Sequence, residues 1–175
     1  MALAIAGQAA VVAAPAACFA AASLGFWVFN RSPARIFMGD VGSGAVGFIV
    51  FALTAWLWLL HTALLWPALL LSSAVTVDAT LTLLLRMAHG KRWTSPHREH
   101  LYQWLVRRGH SHTRVAHAYT LWNILILAPL AFGAWRWPGA AVALCISGYL
   151  VTSVAWWWGK RRALPRRRLN TATSA

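Results

Sequence analysis

Acidic side chains are almost missing. The 175 residues hold three, Asp40, Asp78 and Glu99, against 16 Lys+Arg, for a formal net charge of +13. No two of the three are adjacent, so the chain has no aspartate-pair motif of its own. Cysteine is as scarce. Cys18 and Cys145 both stand in apolar runs, which excludes a disulfide framework or a cysteine-based zinc signature and leaves two small hydrophobes. No Gly-Lys-Ser/Thr follows a glycine-rich turn, so a P-loop is excluded as well. Charged residues make up only 11% of the chain, less than half of the roughly 25% of a soluble domain. A hydrophobic content of 59% excludes a disordered chain.

What the chain has is long apolar runs. Five of them, roughly 2–29, 44–60, 66–85, 118–135 and 140–158, approach the ~20 residues that span ~30 Å of hydrocarbon. Backbone polar groups in lipid must be satisfied within the segment, so each run is expected to be a helix. The expected fold class is all-α: a polytopic membrane protein with about five transmembrane helices and polar loops. The first run has no basic residue before Arg31 and is longer than a signal-peptide core, so it reads as a retained helix.

The positive charge maps orientation. Arg31 and Arg35 follow the first run, seven Lys+Arg lie between Arg86 and Arg114, and six lie between Lys160 and Arg168. Only Arg136 falls on the other side, and by the positive-inside rule the rich side is cytoplasmic. The expectation is an inner-membrane protein with its N-terminus outside and its loops and C-terminus in the cytoplasm. Nine of the twelve tryptophans stand near run ends, where aromatic belts form. A soluble protein of this charge would suggest nucleic acid. Here the charge lies between membrane runs, so no nucleic-acid partner is expected. Residues 1–160 read as the membrane portion and 161–175 as a basic, disordered tail; Lys160 to Arg168 suit anionic headgroups.

Two loops carry the polar information. The first runs from Asn30 through Arg35-Ile36-Phe37-Met38-Gly39-Asp40-Val41-Gly42-Ser43. A carboxylate among glycines before a membrane helix suits a Mg²⁺ ion that also takes phosphate oxygens, and a helix N-terminus suits the anion itself. The competing reading is a helix cap with glycines for close packing. The second loop, 89–117, holds six of the seven histidines, including His97-Arg98-Glu99-His100 and His110-Ser111-His112. It reads as a zinc site completed by Glu99, as an ordinary surface loop, or as an anion site of His and Arg donors. A helix starting at Pro96 with Ser95 as its cap would put His97 and His100 on one face. Asp78, deep in the third run, reads as a polar floor to the site or as a structural hydrogen-bonding group, with Arg86 too far along the helix for a direct pair.

The string Pro33 to Ser43 resembles the cytoplasmic loop of the polyprenyl-phosphate sugar-1-phosphate transferases, glycosyltransferase family 4. Asp78-Ala79-Thr80, then Arg86, Gly90 and His97-Arg98-Glu99-His100-Leu101-Tyr102-Gln103, are similar to the same family, as is Gly109-His110-Ser111-His112. The resemblance implies transfer of an N-acetylhexosamine-type sugar-1-phosphate from a UDP-sugar to polyprenyl phosphate, with UMP released and Mg²⁺ required, to initiate a surface polysaccharide. It assigns the metal and catalysis to Asp40, catalysis to His97 and His100, and substrate binding to Asn30, Gly42, Ser43, Arg98 and His112. Asp78 stands behind them as a supporting group.

The shortage of acids departs from the family's pattern, which includes an adjacent acidic pair in an earlier loop. The chain is therefore expected to be a C-terminal portion, inactive alone and completed by an N-terminal half or a second copy. The other reading is a non-catalytic membrane scaffold or regulatory subunit.

Overall fold

The computed structural model describes residues 2–31, 33–92, 95 and 99–163, with side chains from residue 10 onward except that of Asp40. Every regular element among the described residues is helical. Helix α1 is Ala2–Asn30 and α2 is Gly39–Leu60; a 3₁₀ turn, Thr62–Leu64, leads into α3, Leu65–Ala88. The short α4, Leu101–Arg107, precedes α5, His112–Trp122. A π-helical turn, Asn123–Leu127, joins α5 to α6, Ala128–Arg136, and a second 3₁₀ turn, Pro138–Ala140, joins α6 to α7, Ala141–Ala163.

Five stretches are long and apolar enough to cross a membrane: Ala10–Asn30, Val41–Leu60, Thr62–Ala88, His112–Arg136 and Pro138–Ala163. They coincide with the five apolar runs. The fourth is one rod built from α5, the π turn and α6. Pro129 near the start of α6 explains the π turn: it has no N–H to donate backwards and its ring crowds the preceding turn, so the ladder widens ahead of it. Pro15 sits inside α1, which membrane helices tolerate.

Helices α3, α6 and α7 form the packed unit. Leu70, Ala131, Ala134, Ala141 and Cys145 make one buried cluster, and Val77, Leu101, Trp156 and Ala163 a second one nearer α4. Lipid tails are as apolar as leucine, so association here rests on close packing, and small residues at the contacts permit it. Gly148 shows how close: a Cβ there would lie 2.3 Å from Leu70 Cδ2 and 3.4 Å from Leu130 Cδ1. The α1–α2 hairpin is attached differently. Of the apolar window of α2 0% is buried, against 33% for α3. Phe48, Phe51 and Leu59 face outward at 69–81% exposure, a surface suited to hydrocarbon rather than water.

Helix α7 runs to Ala163, three residues past the boundary expected at 160, and residues 164–175 lie outside the described part. Its last turns carry three cation–aromatic pairs four residues apart: Lys160 over Trp156, Arg161 over Trp157 and Arg162 over Trp158, at 5.3, 4.9 and 3.5 Å from the ring centroids. The exposed pairs Arg161–Trp157 and Arg162–Trp158 suit an interfacial anchor, whereas Trp156 and Lys160 are buried.

Substituting Gly148→Leu is expected to destabilise the α3–α7 contact by about 1–3 kcal/mol, because Leu70 is fully buried and has nowhere to move. Thermal unfolding in detergent measures this; an unchanged midpoint would contradict the packing described.

Candidate functional site

The site is built on Asp78. The residue lies on α3 among apolar neighbours at 4% exposure, and its carboxylate accepts four hydrogen bonds. Oδ1 takes the Leu101 backbone N–H at 2.9 Å, the Trp156 indole Nε1–H at 2.7 Å and the Thr82 hydroxyl at 3.3 Å. Oδ2 takes the Tyr119 hydroxyl at 3.3 Å. One side chain therefore ties α3 to α4, α5 and α7. A buried carboxylate is tolerable only when donors replace its water, and this one is surrounded by them. Asp78 is also among the residues that line the cleft described below.

Arg86, eight residues on, does not pair with Asp78. Its guanidinium is buried and its Nη1 meets Glu99 Oε1 at 3.0 Å, while Lys91 Nζ reaches the same oxygen at 2.8 Å. Arg86 Nη2 also donates to the Arg92 carbonyl at 2.7 Å and to Ser95 Oγ at 2.9 Å. Glu99 is thus committed to two cations, which argues against it as a zinc ligand. Among the described residues no group of three or more His, Cys, Asp or Glu could hold a metal ion.

Where the helix starts differs from the sequence expectation. Ser95 lies in a bend, and α4 begins only at Leu101, with His100 in extended conformation as the preceding cap residue. Gln103 Oε1 accepts from the His100 N–H at 3.2 Å, and the next N–H goes to Asp78. The reason is partner choice: the buried carboxylate draws the Leu101 amide, which sets the first helical turn there. The His100 ring stacks on Tyr102 at 5.8 Å between centroids, and its Nδ1 lies 3.9 Å from Asp78 Oδ1. His97 and Arg98 lie outside the described residues.

Asn30, Asp78, His100, Tyr102, His112 and Tyr119 line a cleft of about 540 Å³. The ends of α1, α4 and α5 therefore meet at one face of the bundle. Asn30 Nδ2 donates to the Ile36 carbonyl at 2.8 Å, which folds the loop leading to α2 back on the end of α1. Ser111 caps α5 by accepting from the Arg114 N–H at 3.2 Å, and this places His112 at the helix start. Gly109, at φ 92°, makes the turn between α4 and α5.

Asp40, Gly42 and Ser43 stand in the first turn of α2. Gly39 has φ 67°, a conformation that favours glycine, and so sets the entry of Asp40 into the helix. The structure brings Asn30, His100 and His112 together; Gly42 and Ser43 are not among the described residues that line their cleft. Sequence reasoning missed two donors. Tyr119 was not singled out, although a tyrosine hydroxyl inside a membrane span needs a partner. Trp156 was read only as part of the interfacial belt, yet its indole N–H is directed at Asp78.

The imidazoles of His100 and His112 and the Asn30 side chain line the cleft beside apolar residues such as Val75, Val106 and Val115, and its one described carboxylate is already occupied by donors. A hard cation such as Mg²⁺ uses one or two carboxylates plus phosphate oxygens, and with Asp78 and Glu99 engaged Asp40 is a carboxylate that would suit it.

Residues 1–58 match the family Glycosyl transferase family 4. A phospho-N-acetylmuramoyl-pentapeptide-transferase of Heliobacterium modesticaldum is 44% identical over 90 residues, 51% of this chain and 26% of the relative. A decaprenyl-phosphate N-acetylglucosaminephosphotransferase of Mycobacterium tuberculosis is 32% identical over 149 residues, 78% of this chain and 37% of the relative. A second phospho-N-acetylmuramoyl-pentapeptide-transferase, from Lactococcus lactis, is 48% identical over 69 residues, 39% of this chain and 19% of the relative. The chain thus spans well under half the length of these curated relatives. No solved structure matches it.

Replacing Asp78 by alanine would leave four donors without an acceptor. At ~1–3 kcal/mol for each buried unsatisfied group, the expected loss exceeds about 3 kcal/mol, and Asp78→Asn is expected to cost less. Chemical denaturation followed by tryptophan fluorescence checks the order; equal stability of Asp78→Ala and the parent would refute the assignment.

Proposed function

We propose, for a chain that belongs to glycosyl transferase family 4, that it forms the acceptor-side cleft of a polyprenyl-phosphate sugar-1-phosphate transferase. The reaction is attack of a polyprenyl phosphate oxygen on the β-phosphorus of a UDP-N-acetylhexosamine. A polyprenyl diphospho-sugar forms and UMP leaves, as the first step of an envelope polysaccharide. The observation that carries this reading is the meeting of Asn30, His100 and His112 in one cleft where the end of α1 and the starts of α4 and α5 come together. A lipid phosphate lies in the headgroup layer and a nucleotide sugar in water, so such a reaction needs a site at that boundary.

Phosphoryl transfer asks for positioning and charge neutralisation more than for covalent chemistry. His100 and His112 supply donors to phosphate oxygens as charge shifts to the leaving UMP. His97 and Arg98 extend the donor set, and Gly42 and Ser43 bind phosphate through the first turn of α2. Asp40 would hold Mg²⁺, which would supply positive charge to offset that of the phosphates. Asp78 does not touch substrate; it holds the backbone beside His100. The basic loops face the cytoplasm at the inner membrane, with the N-terminus outside.

Asp78 and Glu99 are both engaged in holding the fold, which leaves Asp40 alone for the metal. The adjacent acidic pair of the family's pattern is not in this chain, so in this reading further carboxylates come from an additional segment or a second copy. The purified chain, given UDP-GlcNAc, undecaprenyl phosphate and Mg²⁺, is expected to release no UMP. Co-production with the part of the mycobacterial relative that this chain does not cover is expected to restore release. Asp40→Asn and His100→Ala should each then reduce it by about 100-fold or more. Strong Mg²⁺-dependent turnover by the chain alone contradicts the need for further acids. Restored activity that survives both substitutions contradicts the site. Binding of both substrates without turnover in any combination favours the non-catalytic subunit.

A further inference from the structure

Lys160 belongs by sequence to the basic cluster after the fifth apolar run. In the fold it is buried, at 6% exposure, while its neighbours Arg161 and Arg162 are exposed. A lysine at a helix end ordinarily extends its head to water and leaves only its stem on apolar surface. This one turns inward. Its ammonium lies 5.3 Å from the centroid of the Trp156 ring and donates to the backbone carbonyl of Glu99.

The Glu99 carbonyl sits one residue before His100. The segment that leads to His100 is held at two more points. Ser95 Oγ accepts from buried Arg86, and the Glu99 carboxylate accepts from Arg86 and Lys91. The residue after His100 gives its N–H to Asp78. His100 is therefore flanked by main-chain contacts on both sides, one to α7 through Lys160 and one to α3 through Asp78. Arg86 and Lys91 pair with the Glu99 carboxylate, and Lys160 takes the Glu99 carbonyl. A neutral residue at 160 would fill the space between α4 and α7 without burying a further charge. Lys160 provides what a neutral side chain lacks, a charged donor to one chosen carbonyl.

We infer that Lys160 is a positioning residue: its ammonium fixes the Glu99 carbonyl and thereby the backbone at His100, coupling the last helix to the cleft. The effect on catalysis rests on the transferase reading; the mechanical coupling does not. The variants Lys160→Met, Lys160→Arg and, as a control, the exposed Arg161→Met separate the two.

Hydrogen exchange of the peptide covering residues 99–106 is measured in the detergent-solubilised full chain. Loss of a charge-assisted donor is expected to speed exchange there about tenfold or more in Lys160→Met. Lys160→Arg should restore most of the protection, and Arg161→Met should match the parent. Exchange in Lys160→Met equal to the parent, with helicity retained, overturns the inference. In the reconstituted two-part enzyme, Lys160→Met should lower kcat about tenfold with little change in KM for UDP-GlcNAc, and Lys160→Arg should recover it. Faster exchange with unchanged kcat and KM overturns the positioning role. If the parent releases no UMP in any combination, the transferase reading fails, and the exchange experiment alone decides whether Lys160 holds the segment.

Discussion

One carboxylate in the apolar interior organises this protein. Asp78 accepts from a backbone amide, an indole, a hydroxyl and a phenol, contributed by α4, α7, α3 itself and α5. Among helices that hydrocarbon does not drive together, a charged acceptor that needs several donors is a strong reason for them to converge. The same contact starts α4 at Leu101 and leaves His100 extended beside the cleft. Burial of the charge, convergence of the helices and presentation of the histidine are consequences of one constraint.

The rest of the bundle divides into a packed and a loosely attached part. Small residues on α6 and α7 let α3 approach closely, and Gly148 leaves no room for a side chain against Leu70. Helices α1 and α2 lie almost wholly in contact with the surroundings. Asn30 closes the loop to α2 on the Ile36 carbonyl and also lines the cleft. Asp40 therefore stands on the less supported side and His100 and His112 on the better supported one.

Much of this was legible in the sequence for a physical reason. Twenty-residue apolar runs have few alternatives in lipid, so five helices and their rough limits followed directly. Asp78 stood out because an acid at that depth must have partners. The partners themselves were not legible. Trp156 and Lys160 sit among end-of-run aromatics and basic residues, whose types suit an interfacial belt whichever way each side chain turns. Helix phase and burial, which separate Lys160 from Arg161, depend on α7 packing against α4. The start of α4 at Leu101 was not legible, because local capping rules cannot see a carboxylate 23 residues away. The link between Asp40 and the histidines rested on motif resemblance, since nothing in their spacing joins them.

The scarcity of acids takes on a definite meaning in the fold. Two of three carboxylates are spent on structure, Asp78 beneath the cleft and Glu99 within the loop beside it, and the proposed reaction therefore gives the metal to Asp40. The most direct test of the central claim is an NMR spectrum of the indole N–H groups in ¹⁵N-tryptophan-labelled chain, with Trp156 assigned through Trp156→Phe. The account predicts that the Trp156 indole proton is shifted downfield, exchanges slowly with solvent, and loses both properties in Asp78→Ala. A Trp156 resonance at the ordinary position, exchanging freely or indifferent to Asp78→Ala, would contradict it.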